Sequence, residues 1–240
     1  MSTLLIELTG PMQSWGSRSR FSTRATEMAP TKSGVIGLIA AALGMDRSEG
    51  LDEFDGLRFG VRVDQPGAVE RDFHTAVPLD GGKAMPISQR YYLADAVFLA
   101  ALEGPEAQLR GFAEALARPV YPLYLGRRAF PPAGPLWVSH HHGTIEDALR
   151  ETPWRARERY QRSVAEATRS IEIIVDAAQG DASTGLQRDV PLSFDPRRRE
   201  HGWRSVRSFY IDVENPHRKG RPVDPIDDPH DPIGHLEKGE

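Results

Sequence analysis

AVERDFHTAVPLDGGKAMPISQRYYLADAVFLAALEG, residues Ala68 to Gly104, holds two extended arms around the glycine- and proline-rich centre PLDGGKAMP. Those breakers between β-prone segments predict a hairpin or a long protruding loop. The second arm runs straight into AVFLAAL, an apolar strand. Working outward, LRFGVRVDQ alternates apolar and polar residues from Leu57, as a half-buried strand does. TLLIELTG at the start is apolar and reads as a buried strand. Between them, PTKSGVIGLIAAALGM has helix-start chemistry at Pro30 to Ser33 and apolar residues Val35, Leu38, Ile39, Ala42 and Leu43 at helical spacing, with Gly44 as the stop. GPEAQLRGFAEALARP, bounded by Pro105 and Pro119, is an amphipathic helix. Strand, helix, strand, hairpin, strand, helix is most of a ferredoxin-like βαββαβ unit with an insertion before its third strand, so the expected class is α+β.

Beyond Tyr124 the chain turns rich in Pro and Gly. TIEDALRETPWRARERYQRSVAEATR predicts helix broken at Pro153, its charges mostly structural; SIEIIVDA and WRSVRSFYIDVE predict strands. The expected division is a first domain over 1–138, a smaller C-terminal part over 139–214, and a tail over 215–240 in which Pro, Asp, Gly and His dominate and which predicts disorder.

The chain has 240 residues, 27% charged, with a formal net charge of −4 and no cysteine. Lack of cysteine excludes disulfides, thiolate metal sites and a cysteine nucleophile, and fits a cytoplasmic protein. No segment has the pattern of a signal peptide or the ~20 apolar residues that span a bilayer, so no membrane partner is expected. The acidic excess comes mostly from the tail, which leaves a near-neutral body with local basic clusters.

One cluster is GPMQSWGSRSRFSTRATEMAPTKSG, Gly10 to Gly34, with Arg18, Arg20, Arg24 and Lys32 against a single acid, Glu27. PTKSG is no P-loop, because Thr31 stands where a glycine must precede the lysine. Thr31, Lys32 and Ser33 at a helix start fit either an ordinary cap or, with the upstream arginines, a phosphate contact. Trp15 is better read as a core anchor of this loop than as a stacking platform. His74 lies on the first arm and Gln89, Arg90, Tyr91 and Tyr92 on the second, one tyrosine facing the core and the other solvent. YPLYLGRRAFPP interleaves Tyr121 and Tyr124 with Arg127 and Arg128, a pattern suited to single-stranded nucleic acid; Gly126 lets backbone approach a ligand. His140 to His142 read as a surface loop without ligand spacing for a metal, and Arg197 to Arg199 as a solvated charge run. No cofactor is expected.

Taken together, LTGPMQSWG, FSTRATEMAPTKSGVIGLIAAALG, RDFHT and YLGRRAFP, in this order, resemble the Cas-five family of CRISPR-associated proteins in its type I-E form. The resemblance covers most of residues 1 to 138, with a looser echo at WRSVRSFYID. It implies an RRM-like RAMP domain whose hairpin is a thumb over about 69–92, tipped by Lys83, Met85 and Pro86, and a β-rich C-terminal part. It also implies a non-catalytic subunit of the Cascade ribonucleoprotein complex in antiviral defence. That subunit would bind the five-prime handle of the CRISPR RNA and cap one end of the backbone. Partners would be the backbone subunit CasC and the large subunit CasA, with target DNA met only through the complex. The handle would lie along Thr31 to Ser33 and the YLGRR turn. The competing expectation, drawn from type I-C relatives, is a metal-independent endoribonuclease using His74, Lys83 and Tyr91 to activate a ribose hydroxyl.

Overall fold

The computed structural model describes residues 1–16, 23–178 and 180–218. Its elements in chain order are β1 (Ser2–Thr9), β2 (Met12–Gln13), β3 (Thr23–Arg24), α1 (Lys32–Leu43), β4 (Arg58–Gln65), β5 (Ala68–His74), β6 (Ser88–Ala94), β7 (Val97–Gly104) and α2 (Glu106–Ala117). There follow β8 (Val138–His142), α3 (Ile145–Glu151), α4 (Glu158–Ser163), β9 (Thr168–Asp176), β10 (Gly185–Ser193) and β11 (Glu200–Glu214). Seven strands form one antiparallel sheet in the order β10-β11-β9-β4-β7-β1-β8. A smaller sheet is built around β6, with β5 on one side and the two short strands β2 and β3 on the other.

The continuous apolar runs of β1 and β7 follow from burial on both faces. Leu4, Ile6, Leu8, Phe98, Ala100 and Leu102 pack with α1 and α2, whereas Leu5, Leu99 and Ala101 pack with Ile145, Ala148 and Leu149 of α3. α1 starts and stops where its sequence says: Thr31 is the N-cap, and Gly44 turns left-handed at φ 81° while its N–H reaches the Ala40 and Ala41 carbonyls.

Four expectations change. β4 is not half-buried: β9 pairs along its outer side, and Arg62 is fully buried against Asp64, at 2.6 Å, while donating to the Leu149, Thr152 and Pro153 carbonyls at the end of α3. The strands expected in a smaller C-terminal part, SIEIIVDA and WRSVRSFYIDVE, extend the main sheet, with β9 entering directly beside β4 and β11 beside β9. The histidine run is strand, not loop. His140, His141 and His142 pair with Leu4, Thr3 and Ser2 on the sheet edge, so neighbouring imidazoles alternate between faces. Asn215, where the tail was expected to begin, is a buried anchor whose Nδ2 donates to the Gln161, Val164 and Glu166 carbonyls. The tail from 219 lies outside the described residues.

Candidate nucleic-acid interface

The segments that carry basic residues meet at the root of the β5–β6 hairpin. Gln13 is buried and directs the junction: its Nε2 donates to the Leu8 and Ala96 carbonyls and its Oε1 accepts from the Trp15 indole at 3.0 Å. Trp15 is fully buried, as its reading as a loop anchor expects, and lies against Gly34, where an added Cβ would sit 2.7 Å from the indole. The Glu27 N–H donates to the Trp15 carbonyl and the Ser14 N–H to the Leu125 carbonyl. Gly126 adopts φ 83°, and a Cβ there would overlap the Ser14 carbonyl oxygen. This glycine thus serves a close approach to the chain's own backbone, which corrects the expectation that it makes room for a ligand.

On this base stand three guanidinium groups. Arg24 of β3 is the register partner of Arg90 on β6, and Arg127 donates from Nη2 to the Arg24 carbonyl at 3.3 Å. Arg127 lies 5.2 Å from the centroid of the Tyr92 ring, which is itself buried edge-on against Phe130 at 4.8 Å. Burial, together with the charges of Arg90 and Arg24, pulls the Arg127 pKa below its usual value. Among the described residues, Arg90 Nε is buried with no hydrogen-bond partner. Among the described residues none of Arg24, Arg90, Arg127 or Arg128 is ion-paired with a carboxylate. Adjacent like charges on paired strands and a buried N–H left unmatched both cost stability. Such a cluster is chemically an anion site: planar donors over an aromatic floor, suited to phosphate.

Around it, Arg128 and Tyr121 are exposed and Tyr124 is half-buried on the same turn. His74 is exposed, its Nε2 2.6 Å from Asp72 Oδ2. Asp72 faces Arg90 across the hairpin, so His74, two residues on, shares that face. The 75–87 tip, with Lys83, Met85 and Pro86, is exposed and closed by a Met85 N–H to Ala76 carbonyl bond at 2.8 Å. Arg18 and Arg20 lie outside the described residues.

The helix start is the main correction. The Lys32 N–H donates to Asp189 Oδ2 at 2.8 Å, and Lys32 Nζ donates to the Leu57 carbonyl and to Asp176 Oδ2 at 2.9 Å. Thr31 Oγ1 is taken by the Gly34 N–H, and Thr31, Lys32 and Ser33 are all buried. An internal carboxylate occupies the positive end of α1, which removes Thr31, Lys32 and Ser33 from the candidate anion site. The carboxylates responsible, Asp176 and Asp189, stand 144 and 157 residues away, and no local pattern announces them.

A sequence profile of the family described as "CRISPR-associated protein (Cas_Cas5)" matches residues 3–207. The chain is 35% identical over 159 residues to "CRISPR system Cascade subunit CasD" of Escherichia coli (strain K12), covering 57% of this chain and 70% of that relative. It superposes on a solved "CRISPR RNA-guided surveillance complex" chain with TM-score 0.73 and 34% identity, over 92% of this chain and 95% of the other. A second structure, titled "Crystal structure of Cas protein", gives TM-score 0.64 at 35% identity over 92% and 99%. With a profile match spanning most of its length, this chain belongs to the Cas5 family of CRISPR-associated proteins.

Proposed function

We propose that this chain is a CasD-like, non-catalytic subunit of a type I-E CRISPR surveillance complex in the cytoplasm. In this reading it holds the five-prime handle of the CRISPR RNA across the Arg24, Arg90 and Arg127 cluster. The observation that carries the reading is the buried Arg90 Nε, unmatched among the described residues, beside two further guanidinium groups that pair with no carboxylate there. Single-stranded RNA supplies what they lack: phosphate oxygens for charge-assisted bonds, and bases that stack on exposed rings such as Tyr121.

The strand order β4-β7-β1-β8, with α1 and α2 packed on one face, supports a ferredoxin-like RAMP core. The β5–β6 hairpin, exposed along the whole of β5, is the thumb, and its tip at Lys83, Met85 and Pro86 overlies spacer nucleotides held by the CasC backbone. CasA is the second partner, and the subunit caps one end of the backbone. The endoribonuclease reading is disfavoured by alternation along the hairpin: Tyr91 pairs with Arg71, on the face opposite His74 and Arg90.

The test is repeat-derived RNA incubated in EDTA with this protein and its backbone subunit, scored for both shift and cleavage. The expected result is an intact, shifted RNA whose capture depends on the handle and is lost in Arg90→Ala/Arg127→Ala. Cut RNA from protein free of other nucleases overturns the non-catalytic assignment.

A further inference from the structure

A second basic surface lies at the other end of the main sheet. β4 and β11 run in the same direction, since each is antiparallel to β9, so the β10–β11 turn sits at the end where β4 begins, away from the β5–β6 hairpin at the end where β4 stops. The turn carries Arg197, Arg198 and Arg199, and β10 adds Arg188; all four are exposed. Two acids border them. Asp195 shapes the turn, its Oδ1 accepting the Arg197 N–H at 2.8 Å, and Glu200 faces Arg198 Nε at 3.2 Å. Arg188 Nε donates to the His201 carbonyl at 3.2 Å, which fixes it across from the turn. Burial, followed by the charges of Arg199 and Arg188, holds the His201 pKa below its usual value.

An aromatic surface accompanies the charge. Trp203, Phe209 and Ile211 occupy one face of β11. Phe209 and Ile211 are covered by the α3 cluster, whereas Trp203 is left 60% exposed. An uncovered indole on the strand that leaves the arginine-bearing turn matches a nucleic-acid strand better than an acidic protein surface. The charges meet phosphates and the ring stacks on a base, while a carboxylate-rich protein gives the indole nothing to stack on.

We propose that Arg188, Arg197, Arg198, Arg199 and Trp203 form a second phosphodiester-binding surface, separate from the Arg24, Arg90 and Arg127 cluster. It contacts three or more backbone phosphates and stacks a base on Trp203. Its occupant is a nucleic-acid strand, and RNA and DNA share the chemistry that it reads.

The experiment is fluorescence anisotropy of the full chain with labelled single-stranded RNA, single-stranded DNA and duplex DNA over a series of salt concentrations. Running it in both the wild-type and the Arg90→Ala/Arg127→Ala backgrounds separates the two surfaces. In the second background, Arg197→Ala/Arg198→Ala/Arg199→Ala lowers the slope of log affinity against log salt by about 2 on single strands, roughly 0.7 for each phosphate no longer neutralised. Trp203→Ala weakens single-strand binding by about 5- to 150-fold, the worth of one base stack, and spares the duplex. The triple lysine variant retains the slope, which separates lost charge from lost folding. The oligonucleotide whose slope changes most identifies the strand bound. An unchanged slope on all three overturns the proposal.

Discussion

The N-terminus of α1 and the turn at Arg127 look alike as sequence: each sets a cationic side chain beside a glycine and hydroxyl or aromatic groups. In the fold they diverge completely. Lys32 and Arg204 are buried with Asp176 and Asp189 in one closed network, Arg204 reaching Asp189 at 2.6 Å and Asp176 at 2.7 Å. Arg24, Arg90 and Arg127 crowd one another with no direct ion pair to a carboxylate among the described residues, Asp72 only facing Arg90 across the hairpin, and one buried N–H goes unmatched among them. Positive charge satisfied from within is structural. Charge that the fold gathers and leaves unsatisfied is available to a ligand, at a cost in stability that the ligand offsets.

The contrast breaks first at Asp176. Asp176→Ala leaves the buried Lys32 ammonium with only the Leu57 carbonyl and takes one of two carboxylates from Arg204, and a loss of about 3–5 kcal/mol in unfolding free energy is expected because one partner of a buried network is removed. RNA affinity per folded molecule stays unchanged. Urea denaturation and an RNA titration on the same sample check both halves, and a variant that folds normally but loses RNA would place the anion site at α1 after all.

The opposite pattern is expected at the hairpin root. Arg127→Ala with Arg128→Ala weakens handle capture by ~1.5–3 kcal/mol for each charge-assisted bond lost, with little change in urea midpoint. Equal affinity for wild type and variant would move the handle elsewhere. Gly126→Ala acts between the two regions: the added methyl meets the Ser14 carbonyl at a left-handed φ, so a loss of about 1–3 kcal/mol in stability accompanies weaker RNA capture as the turn shifts.

The smallest effect is on pH. Burial by itself would raise the Glu146 pKa, but the Arg58 hydrogen bond and the charges of Arg58 and Arg207 outweigh it and leave it lowered. A carboxylate lowered in the folded state contributes stability that is present above its unfolded pKa and is lost as pH falls through the folded value. Stability should therefore decline below about pH 4.3, the ordinary glutamate value, and Glu146→Gln should flatten that decline in thermal melts at stepped pH.

Local elements were largely legible. Thr31 and Gly44 bracket α1, Pro105 opens α2, and the breakers of PLDGGKAMP separate two arms that pair from Ala68 with Ala94 to His74 with Ser88. The basic turn at Arg127 and Arg128 was legible as chemistry, and the burial of Trp15 between glycines was legible as packing. Strand neighbours were harder to read. SIEIIVDA looked like part of a separate unit because sequence shows that a strand wants partners without saying which edge receives it.

What the sequence alone determined about this protein is its inventory of elements, since caps, breakers and apolar periodicity act over a few residues, and its membership in the Cas5 family, carried by short motifs in a fixed order. Only the tertiary structure decided which cations are free. A lysine at a helix start and an arginine in a turn differ in role because Asp176 and Asp189 arrive at the lysine from over 140 residues away, whereas among the described residues no carboxylate pairs with Arg127. Charge compensation is a long-range Coulombic fact of the folded chain, so it is settled by which strands become neighbours.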